Sequence, residues 1–208
     1  MAEHLFGSGL KNIYKGKRCF VIGNGPSLNQ VDFNDLNDEI TIGSNLIIKK
    51  FTPTFLCVSD AKRHRENSAI ISSAKSIKVF SSPPIKNLRE GYKVELDFKQ
   101  IQYVKKIEAD LGKTYWGVTV IIDLCLPLAY YLGITEVHLL GCDHNKVGRF
   151  YDSKLPLTSP SIKKDVEKNF KAIKEIFEKD KRSICDATKG GGLKMFRKVD
   201  LKWLLSGQ

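Results

Sequence analysis

The stretch Arg18-Cys19-Phe20-Val21-Ile22-Gly23-Asn24-Gly25-Pro26-Ser27-Leu28 constrains the fold more than any other. Residues 19–22 are a short apolar run that stops abruptly at Gly-Asn-Gly, the pattern of a buried parallel strand entering a tight turn. Gly23 and Gly25 lack a Cβ, so a ligand or a neighbouring strand can approach the backbone there. Pro26 suits the first turn of a helix, where its missing N–H is not needed. Ser27 can cap that helix or offer its hydroxyl to an anion. A strand, a glycine turn and a helix in this order converge N–H groups on one point, which suits a phosphate. The same pattern also describes a tight turn that holds no ligand.

With 208 residues, 42% of them hydrophobic and 27% charged, the chain fits one domain with a full sheet and helices on both faces. Its formal charge of +11 favours anionic partners such as nucleotides, acidic glycans or lipid head groups. The basic residues are spread along the chain and no nucleic-acid motif accompanies them, so no specific nucleic acid is expected. Peripheral contact with an anionic membrane surface fits the same charge. Cys19, Cys57, Cys125, Cys142 and Cys185 lack metal-like spacing and lie mostly in apolar runs, which points to buried free thiols and no metal site. The N-terminus has no continuous apolar core. The most hydrophobic stretch, 117–134, contains Asp123 and Pro127 and falls short of the ~20 apolar residues of a spanning helix. The expected compartment is the cytoplasm, and the oligomeric state stays open.

The expected domain is 1–208, an α/β fold with a Rossmann-like open, mostly parallel sheet. Strands are expected at 19–22, 40–42, 55–58, 77–80, 92–96, 136–140 and 183–185. Helices are expected at 10–14, 27–36, 61–74, 100–111 and 117–132, the last kinked or broken at Pro127 and ended by Gly133. Apolar residues Ile162, Val166, Phe170, Ile173 and Phe177 fall on one face of a further helix, and a short helix closes the chain at 201–205. Residues 83–113 read as a small insert or flap, and 146–161 as a lid loop. Asn24, Asn45 and Asp60 follow three successive strands, and Gly141, Cys142, Asp143 and His144 follow another. Open α/β sheets bind ligands outside the carboxyl ends of their strands. Asn and Asp also favour turns and caps, which is the structural alternative for each residue alone. His138, inside an apolar strand, reads as structural, and His64, inside a basic run, as solvated.

The segment Gly23-Asn24-Gly25-Pro26-Ser27-Leu28, with Ile42-Gly43-Ser44-Asn45 after it, resembles two related groups: bacterial CMP-sialic-acid-dependent sialyltransferases of lipooligosaccharide, and the MptE-like family of motility accessory factors and hydroxymethylpterin diphosphokinases. Pro53-Thr54-Phe55 with Asp60, and Asp186-Ala187-Thr188-Lys189-Gly190-Gly191, are similar to MptE-like segments. Gly117-Val118, Ala129 to Ile134 and Val137 to Asp143 are similar to a block of both groups. The resemblance implies a Rossmann-like nucleotide domain and places Asn45 near the nucleotide and sugar. Two departures stand out: 146–161 contains no histidine where the sialyltransferases carry a catalytic one, and Trp116 replaces the serine before Gly117.

The reading that follows is a glycosyltransferase using a nucleotide-activated sugar, CMP-linked sugars among the candidates, on a glycan acceptor in surface-glycan synthesis. Gly23, Asn24, Gly25, Pro26, Ser27, Asn45, Gly117 and Gly141 would bind the donor. His144, Asp143 or Asp60 would take the acceptor proton. No cofactor is firmly implied beyond the nucleotide-sugar donor. The alternatives are an MptE-like diphosphokinase, which would use Mg²⁺-ATP with Asp60 and Asp143 as candidate ligands, and a non-catalytic nucleotide- or nucleic-acid-binding protein.

Overall fold

The structure, a computed structural model, describes residues 7–59, 61–80, 93–95, 119–144, 146–156 and 163–206. Its strands are β1 (Arg18–Ile22), β2 (Thr41–Ser44), β3 (Phe55–Val58), β4 (Ile77–Phe80), β5 (Lys93–Glu95), β6 (Glu136–Leu140), β7 (Val147–Arg149), β8 (Asp152–Pro156), β9 (Ser183–Asp186) and β10 (Arg197–Lys198). Eight form one sheet in the order β10-β9-β6-β1-β2-β3-β4-β5, and every pairing in it is parallel. The fold is therefore the expected Rossmann-like α/β sheet. The order reverses at β1, which pairs with β2 on one side and β6 on the other. This is the topological switch point at which such sheets open a crevice.

Alternate residues of the apolar runs serve two cores. Cys19, Val21, Phe55 and Cys57 face one layer, with Leu124, Leu128, Ile173 and Phe177. Phe20, Ile22, Leu56 and Val58 face the other, with Leu28, Ile71 and Leu204. Burial of both sheet faces is what a continuous apolar strand requires. The helices are α1 (Ala61–Glu66), α2 (Ser68–Ser73), α3 (Leu126–Tyr131), α4 (Lys163–Lys179) and α5 (Leu201–Leu205). Among the described residues no helix is long and apolar enough to cross a membrane.

Five local departures from expectation have physical causes. The helix expected at 10–14 is instead a 3₁₀ turn, Gly7–Leu10, which Asn12 at φ +62° keeps from continuing. The helix expected over 27–36 is instead two 3₁₀ turns, Pro26–Gln30 and Phe33–Leu36. Val31 is extended between them, and the Asp32 side chain accepts from Asn34 N at 3.0 Å, starting the second turn afresh. The helix expected over 61–74 breaks at Asn67, whose Nδ2 donates to Arg63 O at 2.8 Å. Ahead of Pro127 the chain widens into a π turn, Ile121–Cys125, in which Leu126 N reaches Ile121 O. The proline follows directly in α3, where the widened turn before it accommodates its ring and missing N–H. Residues expected as a lid loop include an antiparallel hairpin, β7 with β8, around Phe150 and Tyr151. The helix expected at 100–111 and most of the 83–113 insert lie outside the described residues, β5 excepted.

His64 is not solvated: it is buried, with its ring edge-on to Phe80 at 5.8 Å. His138 is fully buried, its ring centroid 5.2 Å from that of Phe20. Burial lowers its pKa below the ordinary value of 6.5. The unfolded chain therefore binds a proton near pH 6.5 that the native protein refuses until lower pH. The stabilisation from neutral His138 is complete above that pH and is lost on acidification below it. Urea unfolding between about pH 7 and 5 should show a slope of up to about 1.4 kcal/mol per pH unit from this group. His138→Gln should lack that component, and an unchanged slope in the variant would refute the assignment.

Candidate functional site

The crevice between the ends of β1 and β6 is closed tightly at its floor. Gly23 N donates to Leu140 O at 2.7 Å and Gly25 N donates to Gly141 O at 2.8 Å, so the ladder continues beyond the strands. Gly25 lies so close to β6 that a Cβ would sit 2.7 Å from both Asp143 Cγ and Gly141 O. Gly141 adopts φ +64°, which lets the chain turn immediately after the strand. The glycine turn thus commits these two N–H groups to the neighbouring strand and not to an open cradle.

The anion at this turn is the protein's own. Ser27 Oγ donates to Asp143 Oδ2 at 2.7 Å, and Ser27 N lies 3.4 Å from the same oxygen. Lys146 Nζ pairs with Asp143 Oδ1 at 3.0 Å. The Asp143 side chain is fully buried, and its carboxylate sits where the sequence suggests that the turn and Ser27 would receive a phosphate. The main chain of Asp143 is held as well: Gly192 N, from the glycine-rich turn after β9, donates to its carbonyl at 2.9 Å. In that turn Asp186 accepts from Thr188 N and pairs with Lys198.

Asn24 follows β1 and is buried. Its Nδ2 donates to Ser44 O at 3.0 Å and to Ser44 Oγ at 2.6 Å, linking the ends of β1 and β2. A carbonyl oxygen can only accept, so the amide is oriented with Nδ2 towards Ser44. That leaves Asn24 Oδ1 buried with no hydrogen-bond partner. An orphaned acceptor of this kind calls for a ligand donor or a water. Asn45 follows β2 with φ +45°, and its Oδ1 accepts from Ser59 N at 3.3 Å. Asn24, Asn45 and Ser44 therefore gather at one rim, while Asp60 and Gly117 lie outside the described residues.

The hairpin closes over the same rim. Phe150 N donates to Asn24 O at 3.0 Å. Tyr151 OH accepts from Arg63 Nη1 at 2.9 Å, and Lys49 Nζ lies 5.7 Å from the centre of its ring. Between the hairpin and the first 3₁₀ turn is an open cavity of about 450 Å³, lined by Pro26, Asn29, Arg149, Tyr151, Asp152 and Lys154 among others. These hairpin residues, and Lys146, are not among the sequence candidates. Lys146 sits three residues beyond Asp143, which is a legible signal; the hairpin's docking on Asn24 has none.

His144 follows Asp143 just beyond the end of β6. With φ +54° it turns its ring to α4, where Nε2 lies 3.1 Å from Glu167 Oε1. A carboxylate at Nε2 favours the tautomer with the proton on that nitrogen and leaves Nδ1 as the acceptor. Cys142 lies beside Gly23, but burial pushes its thiol well above the ordinary range, and the Asp186 and Asp143 carboxylates push it further. Since the nucleophile is the thiolate, this sulfur is unsuited to covalent catalysis.

No family model matches the chain, and no curated protein matches it. Among solved structures it is similar to the sialyltransferase CstII from Campylobacter jejuni, determined in complex with a substrate analogue, cytidine-5′-monophosphate. The match has a TM-score of 0.57 at 14% identity and covers 89% of this chain and 85% of that one. At that identity the likeness is one of fold.

Proposed function

We propose that the protein is a glycosyltransferase that takes a CMP-linked sugar as donor and a glycan hydroxyl as acceptor. The observation that carries this reading is the orphaned Asn24 Oδ1 just after β1, beside Ser44 of β2, an acceptor suited to a ribose hydroxyl or to the exocyclic amine of a pyrimidine base. The fold it shares with CstII, spread over most of both chains, supports the choice of nucleotide. Asn24 and Asn45 bind the donor at the rim; Gly23, Gly25, Pro26 and Gly141 give that rim its shape. Ser27 and Asp143 hold the turn in place, so the donor phosphate lies along the rim towards Arg63 and Lys49, the cations beside the hairpin.

His144 is the general base in this reading. Hydrogen-bonded to Glu167, it offers Nδ1 to the acceptor hydroxyl, and an imidazole is suited to that transfer near neutral pH. Asp143 is a positioning residue, because its oxygens are engaged by Ser27 and Lys146. The Mg²⁺-ATP diphosphokinase reading needs carboxylates to hold the metal. Of its two candidate carboxylates, Asp143 faces Lys146 and Asp60 lies outside the described residues.

Calorimetry with CMP, CDP, UDP and ATP, each in Mg²⁺ and in chelator, tests this reading. CMP or CDP should bind without metal. Asn24→Ala should weaken that binding by about 10- to 100-fold, the scale of one lost hydrogen bond in a buried site. ATP binding that requires Mg²⁺ would favour the diphosphokinase, and the absence of nucleotide binding would overturn the site.

A further inference from the structure

A second cluster lies away from this crevice, towards the amino-terminal part of β6. His138 and Cys185 are register partners on the adjacent strands β6 and β9, and Glu136 precedes His138 by two residues. In a sheet those three side chains share one face. One ligand atom from each lies within 4.8 Å of the other two. The cluster combines a carboxylate oxygen, an imidazole nitrogen and a sulfur, the donor set of a borderline-soft divalent ion.

The imidazole supplies the second observation. His138 is fully buried, and neither of its ring nitrogens makes a hydrogen bond of proper geometry. Glu136 Oε1 lies 3.3 Å from Nε2. In a tetrahedral Zn²⁺ site, bonds of about 2.0 Å to nitrogen and oxygen place the two ligand atoms roughly 3.3 Å apart. The Glu–His edge already has that length. A Zn–S bond of about 2.3 Å in the same geometry places the sulfur roughly 3.5 Å from the other two ligand atoms, inside the 4.8 Å that already encloses all three.

We propose that Glu136, His138 and Cys185 form a binding site for Zn²⁺ or a like divalent ion. The carboxylate is the accessible member, its side chain 42% exposed, so an ion enters from that side and keeps water as its fourth ligand. Arg197 Nη2, which donates to Cys185 Sγ at 3.5 Å, belongs to an exposed residue of the edge strand and moves outward when the ion binds. The burial that lowers the His138 pKa also keeps its ring in the neutral, ligating form. The ion would join β6 to β9 through their side chains, on the side of β6 that does not pair with β1. The site is independent of the proposed sugar transfer.

Co²⁺ is the probe, because a cobalt–thiolate bond gives a near-ultraviolet charge-transfer band that oxygen and nitrogen ligands do not. Metal-free full-length protein titrated with Co²⁺ should develop that band to one equivalent, and Zn²⁺ should abolish it. Cys185→Ser should lose the band while the other four cysteines remain. Glu136→Gln, at a partly exposed position that should leave folding intact, should weaken Co²⁺ binding by at least about tenfold, the lower end of what losing even an orienting partner costs a metal site. No band in the wild type, or a band retained in Cys185→Ser, overturns the proposal. If Cys185→Ser fails to fold, unchanged affinity in Glu136→Gln overturns it alone.

Discussion

Gly25→Ala should lower the melting temperature by about 6–12 °C and abolish the proposed nucleotide binding. The added methyl carbon has nowhere to go: Gly141 O is fixed by its hydrogen bond to Gly25 N, and Asp143 is fixed by Ser27 and Lys146. Overpacking against groups that can yield costs about 1–3 kcal/mol, and here the opposing groups are a backbone carbonyl and a buried carboxylate. We therefore expect about 3 kcal/mol, and a domain of this size shifts by about 2–4 °C per kcal/mol. Gly9→Ala is the control, since a Cβ at Gly9 meets nothing within 4 Å. Differential scanning calorimetry on the two variants checks it, and equal melting temperatures would mean that the turn is not clamped.

Asp143→Ala should be the second large loss, about 2–4 kcal/mol by urea unfolding. It leaves the buried Ser27 hydroxyl without its acceptor and takes the carboxylate from Lys146, whose ammonium keeps only Lys189 O. Ser27→Ala removes one donor and should cost about 1 kcal/mol. Because the two side chains touch, the double variant should cost less than the sum of the singles, by about 0.5–3 kcal/mol. Strict additivity would show that the carboxylate does not organise the turn. Kinetics on further variants separate two roles for Asp143. If it positions the turn, Asp143→Asn should keep most of the pH dependence of the proposed sugar transfer, whereas His144→Gln should remove the limb assigned to the base. The reverse pattern would return the proton transfer to Asp143.

Much of the architecture is legible in the sequence because it depends on neighbours along the chain. The apolar runs at residues 19–22, 55–58, 77–80 and 136–140 carry the pattern of buried strands, and each is one. Gly133, at φ +83°, ends its helix as its position suggests. That Asn24, Asn45, Gly141 and Asp143 follow the ends of strands is legible in the sequence; the wiring among them is not. Asp143 reaches Ser27 across 116 positions of sequence, so nothing local announces that the turn carries its own anion. The hairpin is hidden for the same reason. Its strands are short, without apolar alternation, and its Phe150 N–H is anchored on Asn24. The basic neighbours Lys62, Arg63 and Arg65 make His64 look solvated, yet a helix can turn one residue of such a run inward, here against Phe80. The cross-strand pair of His138 and Cys185 depends on register, which residue spacing along the chain does not record.

The reversal of strand order at β1 also governs how the molecule is made. On the ribosome, β1 to β4 emerge early and can pair in sequence, but the other side of β1 stays bare until residues 136–140 follow. For most of translation the nascent chain therefore presents an open edge carrying unpaired amides of an apolar strand, which is a template for illegitimate pairing. A chain truncated before Glu136 should consequently yield insoluble material and not a smaller working domain, and conditions that slow elongation between residues 80 and 136 should lower the yield of the intact protein.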